Sequence, residues 1–345
     1  MIFNRMCKPS KAKTFNDVFA GIGGATAITA GYARGDETPV MLSKGYCYRD
    51  GPAVADDACW HIGSVAKTMT AGLVMRLGLD LDTPLQSWLP DLAREMHPDW
   101  HRISLRALLS HQAGVAPNAT SEQMWADATT VPQVRRRAVL AEHWCQPLPG
   151  KPGRYRYSNL GYTLAGHIAE TLHQTAFETL IQTQIAEPLG LTTLGVGAPN
   201  REGDPWGHSG FFRPKAVSPD HPHADNPRWM APAGTFHISL RDLLTWGQAN
   251  MQACHGRRDA FLTQAHYQAM HVTKPGVYGL GWEAAQFKRG DGTTAFVQGH
   301  SGSNTMWVTQ LYFDPDAELV LALSMNRARL LLSQKHLVDL ARTLM

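Results

Sequence analysis

Ser64-Val-Ala-Lys67 stands where a loop containing Gly63 runs into a helical pattern. A Ser and a Lys at i and i+3 share one helical face, so the amine can reach the hydroxyl. The helix N-terminus adds backbone N–H groups and the positive end of the dipole, suited to an oxyanion formed as the hydroxyl attacks a carbonyl. This is the chemistry of a nucleophile with its own base. Taken singly, S-x-x-K reads more readily as a capping Ser followed by a solvated Lys. A second constellation is Tyr157-Ser158-Asn159, between a Pro152-Gly153 turn and a helical pattern from Leu160. By itself it reads as an N-cap with a packed aromatic. The third is Gly299-His300-Ser301-Gly302-Ser303, by itself a glycine-rich turn opening a strand.

The surrounding pattern supplies elements to position these groups. Ala25 to Tyr32 and Val40 to Tyr48 flank the turn-rich 34–39 and predict a hairpin. Val65, Met69, Leu73 and Leu77 recur every four residues up to Gly78 and predict a helix of about four turns. Between Asp80 and Leu194 the apolar spacing stays helical, with Leu105, Leu108 and Leu109 behind a Ser104 cap, then Leu160, Leu164, Ile168 and Leu172, then Phe177 to Ile185. Residues 197–235, rich in Pro, Gly, His and Trp, predict a long ordered loop. A capped helix follows from Ser239 to Met251. Strands are expected at Gly279 to Glu283, Thr294 to Gln298, Met306 to Phe313 and Leu319 to Ser324, with Asp314-Pro-Asp316 turning between the last two. An amphipathic helix closes the chain from Leu330. Strands at both ends around a helical middle imply an α/β (α+β) fold: one antiparallel sheet built from both chain ends, flanked by helices, with an inserted all-helical subdomain. One catalytic domain over 1–345 is expected. Its α/β subdomain would take 15–77 plus 230–345, and its helical subdomain with the active-site loops 78–229.

Three elements in the order S-x-x-K, Y-x-N and [K/H]-[T/S]-G resemble the penicillin-recognising serine hydrolases, above all the branch with class C β-lactamases, DD-peptidases and family VIII esterases. The resemblance runs from about residue 20 to 326. Trp60-His-Ile-Gly-Ser-Val-Ala-Lys67, Leu108-Leu-Ser-His-Gln-Ala-Gly114, Glu187-Pro-Leu-Gly190, Ala231-Pro-Ala-Gly234 and Tyr278-Gly-Leu-Gly-Trp282 are similar to that family too. It implies that Ser64 is the acylated nucleophile and that Lys67 and Tyr157 share the proton transfers, with either as the base. It implies further that Asn159 orients Lys67 and the acyl side chain, that His300, Ser301, Gly302 and Ser303 bind substrate, and that the N–H groups of Ser64 and Ser303 form an oxyanion hole. The expected activity is hydrolysis of esters or amides through an acyl-enzyme, as a carboxylesterase first, with β-lactamase or D-amino-acid peptidase or amidase as alternatives. A non-turnover penicillin-binding sensor is the alternative of another class. Two departures from the family pattern stand out. His300 occupies the place of a Lys, which removes a fixed cation for substrate carboxylates. About four residues are missing after the nucleophile helix, at Leu77-Gly-Leu-Asp80.

Composition excludes other classes. The chain has 345 residues, 43% hydrophobic and 18% charged, enough for a large core. No apolar run approaches the roughly 20 residues of a membrane span. With 32 Lys and Arg against 29 Asp and Glu, no basic block suits nucleic acid, so the expected partner is a small ester, amide or β-lactam. Lys8, Lys11 and Lys13 resemble a signal-peptide n-region without the apolar run to follow. Cys7, Cys47, Cys59, Cys145 and Cys254 are odd in number and lack CxxC spacing, which points to reduced thiols and a cytoplasmic home, or a periplasmic one if a leader has been removed. Sequence leaves the oligomeric state open. His221-Pro-His-Ala-Asp225 imitates a zinc motif, but Asn226 follows it and Pro219, Pro222 and Pro227 make it an irregular loop, so no metal or other cofactor is expected. The second Gly-His-Ser-Gly, at 207–210, leads into no alternating strand. Neither copy is a G-x-S-x-G elbow. Gly21-Ile-Gly-Gly24 lacks the last Gly of a dinucleotide fingerprint and reads as a loop.

Overall fold

A computed structural model describes residues 13–125, 131–210, 212–272, 274–289 and 292–345; Cys7, Lys8 and Lys11 lie outside the described residues. The main sheet is six-stranded and antiparallel. Its strands are β1 (Ala27–Arg34), β2 (Val40–Gly45), β3 (Glu283–Lys288), β4 (Thr294–Ser303), β5 (Val308–Asp314) and β6 (Leu319–Met325), in the spatial order β2-β1-β6-β5-β4-β3. The two ends of the chain meet where β1 pairs with β6, Ile28 opposite Met325 and Arg34 opposite Leu319. Every residue of β6 is buried because both faces of the sheet are covered.

Five helices position the rest: α1 (Phe15–Gly21), α2 (Ala66–Arg76), α3 (Asn159–His173), α4 (Leu240–Cys254) and α5 (Leu330–Ala341). Strand alternation sends Val320 and Ala322 into one core with Leu243 and Leu244 of α4, and Leu321 and Leu323 into another with Phe15, Phe19, Leu337 and Leu340 of α1 and α5. Residues 85–189 are helical segments and turns inserted between the parts of the chain that build the sheet. Buried Arg136 fastens this region: it pairs with Glu170 of α3, with Glu178 at 2.6 Å and with the Trp229 carbonyl at 2.9 Å. No helix among the described residues is long and apolar enough to cross a membrane.

Two expectations need correction, at Gly279 to Trp282 and at 299–303. Helix α2 is buried on all sides from Ala66 to Met75. It runs between sheet and helical insert, and its polar residues find partners there: Trp246 donates to Thr68 Oγ1 at 2.8 Å, and Thr70 donates to the Pro232 carbonyl at 2.7 Å. Gly279 to Trp282 is a turn, closed by a 2.7 Å bond from Gly279 N to the Trp282 carbonyl, and the strand starts only at Glu283. Gly281 there has φ +81 and sits so close to α2 that a Cβ would lie 2.7 Å from the Lys67 carbonyl, which excludes a regular strand and any larger residue. Finally, β4 runs on to Ser303, so 299–303 is strand and not the loop before one.

Candidate active site

Ser64 lies in a single 3₁₀ turn, Gly63–Val65, that leads directly into α2. Strand β4 presses against this turn. A Cβ on Gly302 would stand 1.9 Å from the Ile62 carbonyl and 2.8 Å from Ser64 N, so only glycine permits the contact. The approach brings the backbones of Ser64 and Ser303 together, as a pair of oxyanion donors requires.

Lys67 is fully buried, and its Nζ reaches Ser64 Oγ at 2.9 Å, Asn159 Oδ1 at 2.7 Å and the Ala233 carbonyl at 2.5 Å. Burial pushes its pKa well below the usual lysine range, because the low-dielectric interior disfavours the ammonium. Lys67 Nζ also stands 4.9 Å from the ring centre of Tyr157 and 5.5 Å from that of Tyr162. The Tyr157 hydroxyl bonds to Ser64, and burial raises its pKa above the ordinary phenol value.

Asn159 opens α3, where the Ser158 hydroxyl caps the helix by accepting from Gly161 N at 2.8 Å. The same hydroxyl donates to the Ala116 carbonyl at 2.6 Å, while Asn159 Nδ2 donates to Asn118 Oδ1 at 2.6 Å. Residues 116–118 thus fix the rotation of the amide, and Oδ1 is left facing Lys67.

His300 is buried on the same side of β4 as Lys67. Its Nδ1–H donates to the Ser301 carbonyl at 2.6 Å, which leaves Nε2 to accept from the Tyr278 hydroxyl at 3.0 Å. Burial, with the Lys67 charge nearby, pushes its pKa down to about 3. The ring is neutral at pH 7. Ser301 departs from expectation: strand alternation turns its hydroxyl to the opposite face of the sheet, where it donates to Gln310 Oε1 at 2.5 Å and lies 3.2 Å from the Tyr312 hydroxyl. It does not join the Ser64 cluster. Ser303 contributes its backbone there, since its hydroxyl donates to the Trp307 carbonyl at 2.6 Å.

Sequence reasoning missed several groups. His111, in the Ser-His-Gln turn, is held in left-handed backbone at φ 60; its Nδ1 accepts from Ser158 N at 3.0 Å, and its ring packs 4.3 Å from Tyr157 and 4.6 Å from Tyr278. Burial pushes its pKa down to about 2. The Leu108 to Gly114 string was the available signal. Tyr278 was visible only as part of its Gly-Leu-Gly motif. Glu283, a half-buried carboxylate raised by burial, has no ion pair among the described residues. It lines a cavity of about 340 Å³ with Gln112, Tyr155 and Tyr278.

The zinc-like run comes apart in three dimensions. His223 packs edge-on to Trp125 at 4.3 Å, His221 Nδ1 accepts from His223 N at 3.0 Å, and Asp225 turns inward to His61. The duplicate motif sits on a short ribbon, Gly207–Ser209, where His208 Nδ1 lies near the Trp206 and Asn326 carbonyls.

An antiparallel sheet closed from both chain ends, a helical insert, and a Ser-Lys pair at the seam between them define the β-lactamase and transpeptidase fold. The chain belongs to the β-lactamase family, whose model matches residues 15–341. It is 31% identical over 155 residues to penicillin-binding protein 4 of Amycolatopsis lactamdurans, a match covering 44% of this chain and 39% of that one. It is 28% identical over 244 residues to a β-lactamase of Pseudomonas fluorescens, covering 67% and 61%. The matched region thus spans about half the length of these relatives. Among solved structures, D-amino acid amidase from Ochrobactrum anthropi SV3 shares the fold with a TM-score of 0.73 at 20% identity, over 96% of this chain and 95% of that one.

Proposed function

We propose that the protein is a serine hydrolase acting through an acyl-enzyme on Ser64, with uncharged carboxylic esters as its preferred substrates. The observation that carries this reading is the setting of Lys67. Asn159 Oδ1 and the Ala233 carbonyl can only accept, so a neutral amine gives them its two protons and turns its lone pair to the Ser64 hydroxyl 2.9 Å away. Lys67 then takes the Ser64 proton as Oγ bonds to the substrate carbonyl carbon. The N–H groups of Ser64 and Ser303 receive the oxyanion. Tyr157, kept protonated by burial, donates to the leaving oxygen as the acyl bond breaks, and regains a proton from Lys67. Water reverses the sequence: Lys67 takes its proton, and the same proton returns to Ser64 as the acid departs.

Neutral His300 supports esters over carboxylate-bearing β-lactams, since no cation stands at that position. A turnover panel of p-nitrophenyl acetate, nitrocefin and D-aminoacyl p-nitroanilides tests the reading. Ester turnover abolished by Ser64→Ala is expected; nitrocefin turned over more efficiently than every ester would overturn the ester preference.

Glu283 favours a second reading, hydrolysis of D-amino acid amides. A carboxylate with no protein cation among the described residues, in a cavity beside Tyr155 and Tyr278, is complementary to an ammonium group.

A further inference from the structure

Asp225 stands outside the cluster of Ser64, Lys67 and Tyr157, yet the chain goes to some length to bury it. The loop carrying it exposes His221 and His223, yet the Asp225 side chain is only 7% exposed and meets His61, whose own side chain is 0% exposed. We propose that Asp225 is a positioning residue for acyl transfer, one that holds the two backbone donors of the oxyanion hole at their working separation through His61 and Asn304. The proposal rests on the reading of Ser64 as nucleophile.

His61 ends the short strand Cys59–His61 that delivers the chain to the nucleophile turn. Its Nδ1 accepts from Gly63 N at 3.1 Å, so that nitrogen carries no proton. The proton is therefore on Nε2, which lies 2.6 Å from Asp225 Oδ1. A carboxylate set against the protonated nitrogen of a buried imidazole holds the ring in place electrostatically. Here the ring does not touch substrate. It holds the amide of Gly63, the residue before Ser64.

The same carboxylate oxygen also serves the other donor. Asn304 Nδ2 donates to Asp225 Oδ1 at 3.2 Å, and Asn304 Oδ1 accepts from Met306 N and Trp307 N, each at 3.2 Å. Asn304 follows Ser303 directly. The Trp307 ring closes the arrangement by stacking on His61 with centroids 5.6 Å apart. One oxygen of Asp225 is thus tied to the residue before Ser64 and to the residue after Ser303. Gly302 leaves no slack between the two backbones, so a shift at either tie is passed on to the donors.

An oxyanion donor displaced by about 1 Å loses most of its advantage in the transition state and little in the ground state. Asp225→Ala is therefore expected to lower kcat on p-nitrophenyl acetate by roughly 10- to 100-fold, with KM changed less than about threefold. The inhibition constant of an arylboronic acid, whose Ser64 adduct is tetrahedral and anionic, should rise in parallel. Asp225→Asn keeps an acceptor for His61 and Asn304 and should recover most of the loss; it also serves if the Ala variant does not fold. Imidazole ¹⁵N and ¹H NMR read the contact without any turnover: His61 should show an Nε2–H tautomer in the wild type, with its Nε2 proton shifted downfield by the carboxylate, and lose that downfield shift in Asp225→Ala. Wild-type kcat and boronate affinity in a folded Asp225→Ala, or a His61 protonated on Nδ1, would overturn the proposal while ester turnover still supported Ser64. Absence of any Ser64 adduct in the wild type would instead remove the nucleophile assignment, and this proposal with it.

Discussion

The Tyr278 hydroxyl donates to His300 Nε2 across 3.0 Å, so the ring that stands where family β-lactamases carry a Lys is spent on a protein partner. It is neutral, buried and already hydrogen-bonded on both nitrogens. His300→Lys should therefore raise the ratio of nitrocefin to p-nitrophenyl acetate turnover by roughly 10- to 100-fold, the worth of one charge-assisted hydrogen bond. A ratio unchanged in a folded variant would show that this position does not set substrate charge.

Proton transfer gives the second prediction. With the neutral amine of Lys67 as the proposed base, its pKa lowered by burial, kcat/KM should rise with pH through that lowered value and then level off. Tyr157 must stay protonated, so the alkaline fall should come only above the ordinary phenol pKa near 10. Lys67→Ala and Tyr157→Phe should each lower kcat by about 10²- to 10⁴-fold with little change in KM. A profile that falls with rising pH across neutrality would reverse the assignment of Lys67.

Covalent labelling checks the nucleophile directly. Intact-mass measurement after a fluorophosphonate should show one adduct, mapped to Ser64 and absent from Ser64→Ala. Retained labelling in that variant would move the chemistry to another residue.

Stability should fall in acid. His111 and His300 are buried neutral with pKa values pushed down to about 2 and about 3, against about 6.5 in the unfolded chain. Between those values the unfolded chain binds more protons than the folded one. Stability is thus fully present above pH 6.5 or so, and each ring removes about 1.4 kcal/mol per pH unit as the pH drops toward 3. Denaturant midpoints measured at several pH values should show that slope, shallower in His300→Gln. Equal slopes in the two proteins would mean that His300 takes up its proton without unfolding.

Glu283→Gln tests the cavity beside Tyr155. Turnover of a D-aminoacyl p-nitroanilide should fall about tenfold while p-nitrophenyl acetate is unaffected, because only the former carries an ammonium. Parallel losses on both substrates would assign Glu283 a purely structural role.

Local spacing by itself determined the helix start at Ser64, the Ser-Lys pair on one helical face, the cap at Ser158 and the tight turn at Asp314, where Oδ1 accepts from Asp316 N at 3.0 Å. These rest on contacts within a few residues, and such contacts are written in residue order. The family-like strings further implied that three distant segments belong to one site. Tertiary structure alone decided which atoms meet. Whether Lys67 is a solvated cation or a buried amine depends on what covers α2, and that cover comes from Ala233, Asn159 and the Gly279 to Trp282 turn. Ser301 and His300 are neighbours in sequence with the same apparent claim on substrate; the pleat sent one to each face of β4. Asp225 looked like the end of a metal motif until the loop folded inward and placed it on His61, a partner 164 positions away whose burial no local pattern encodes.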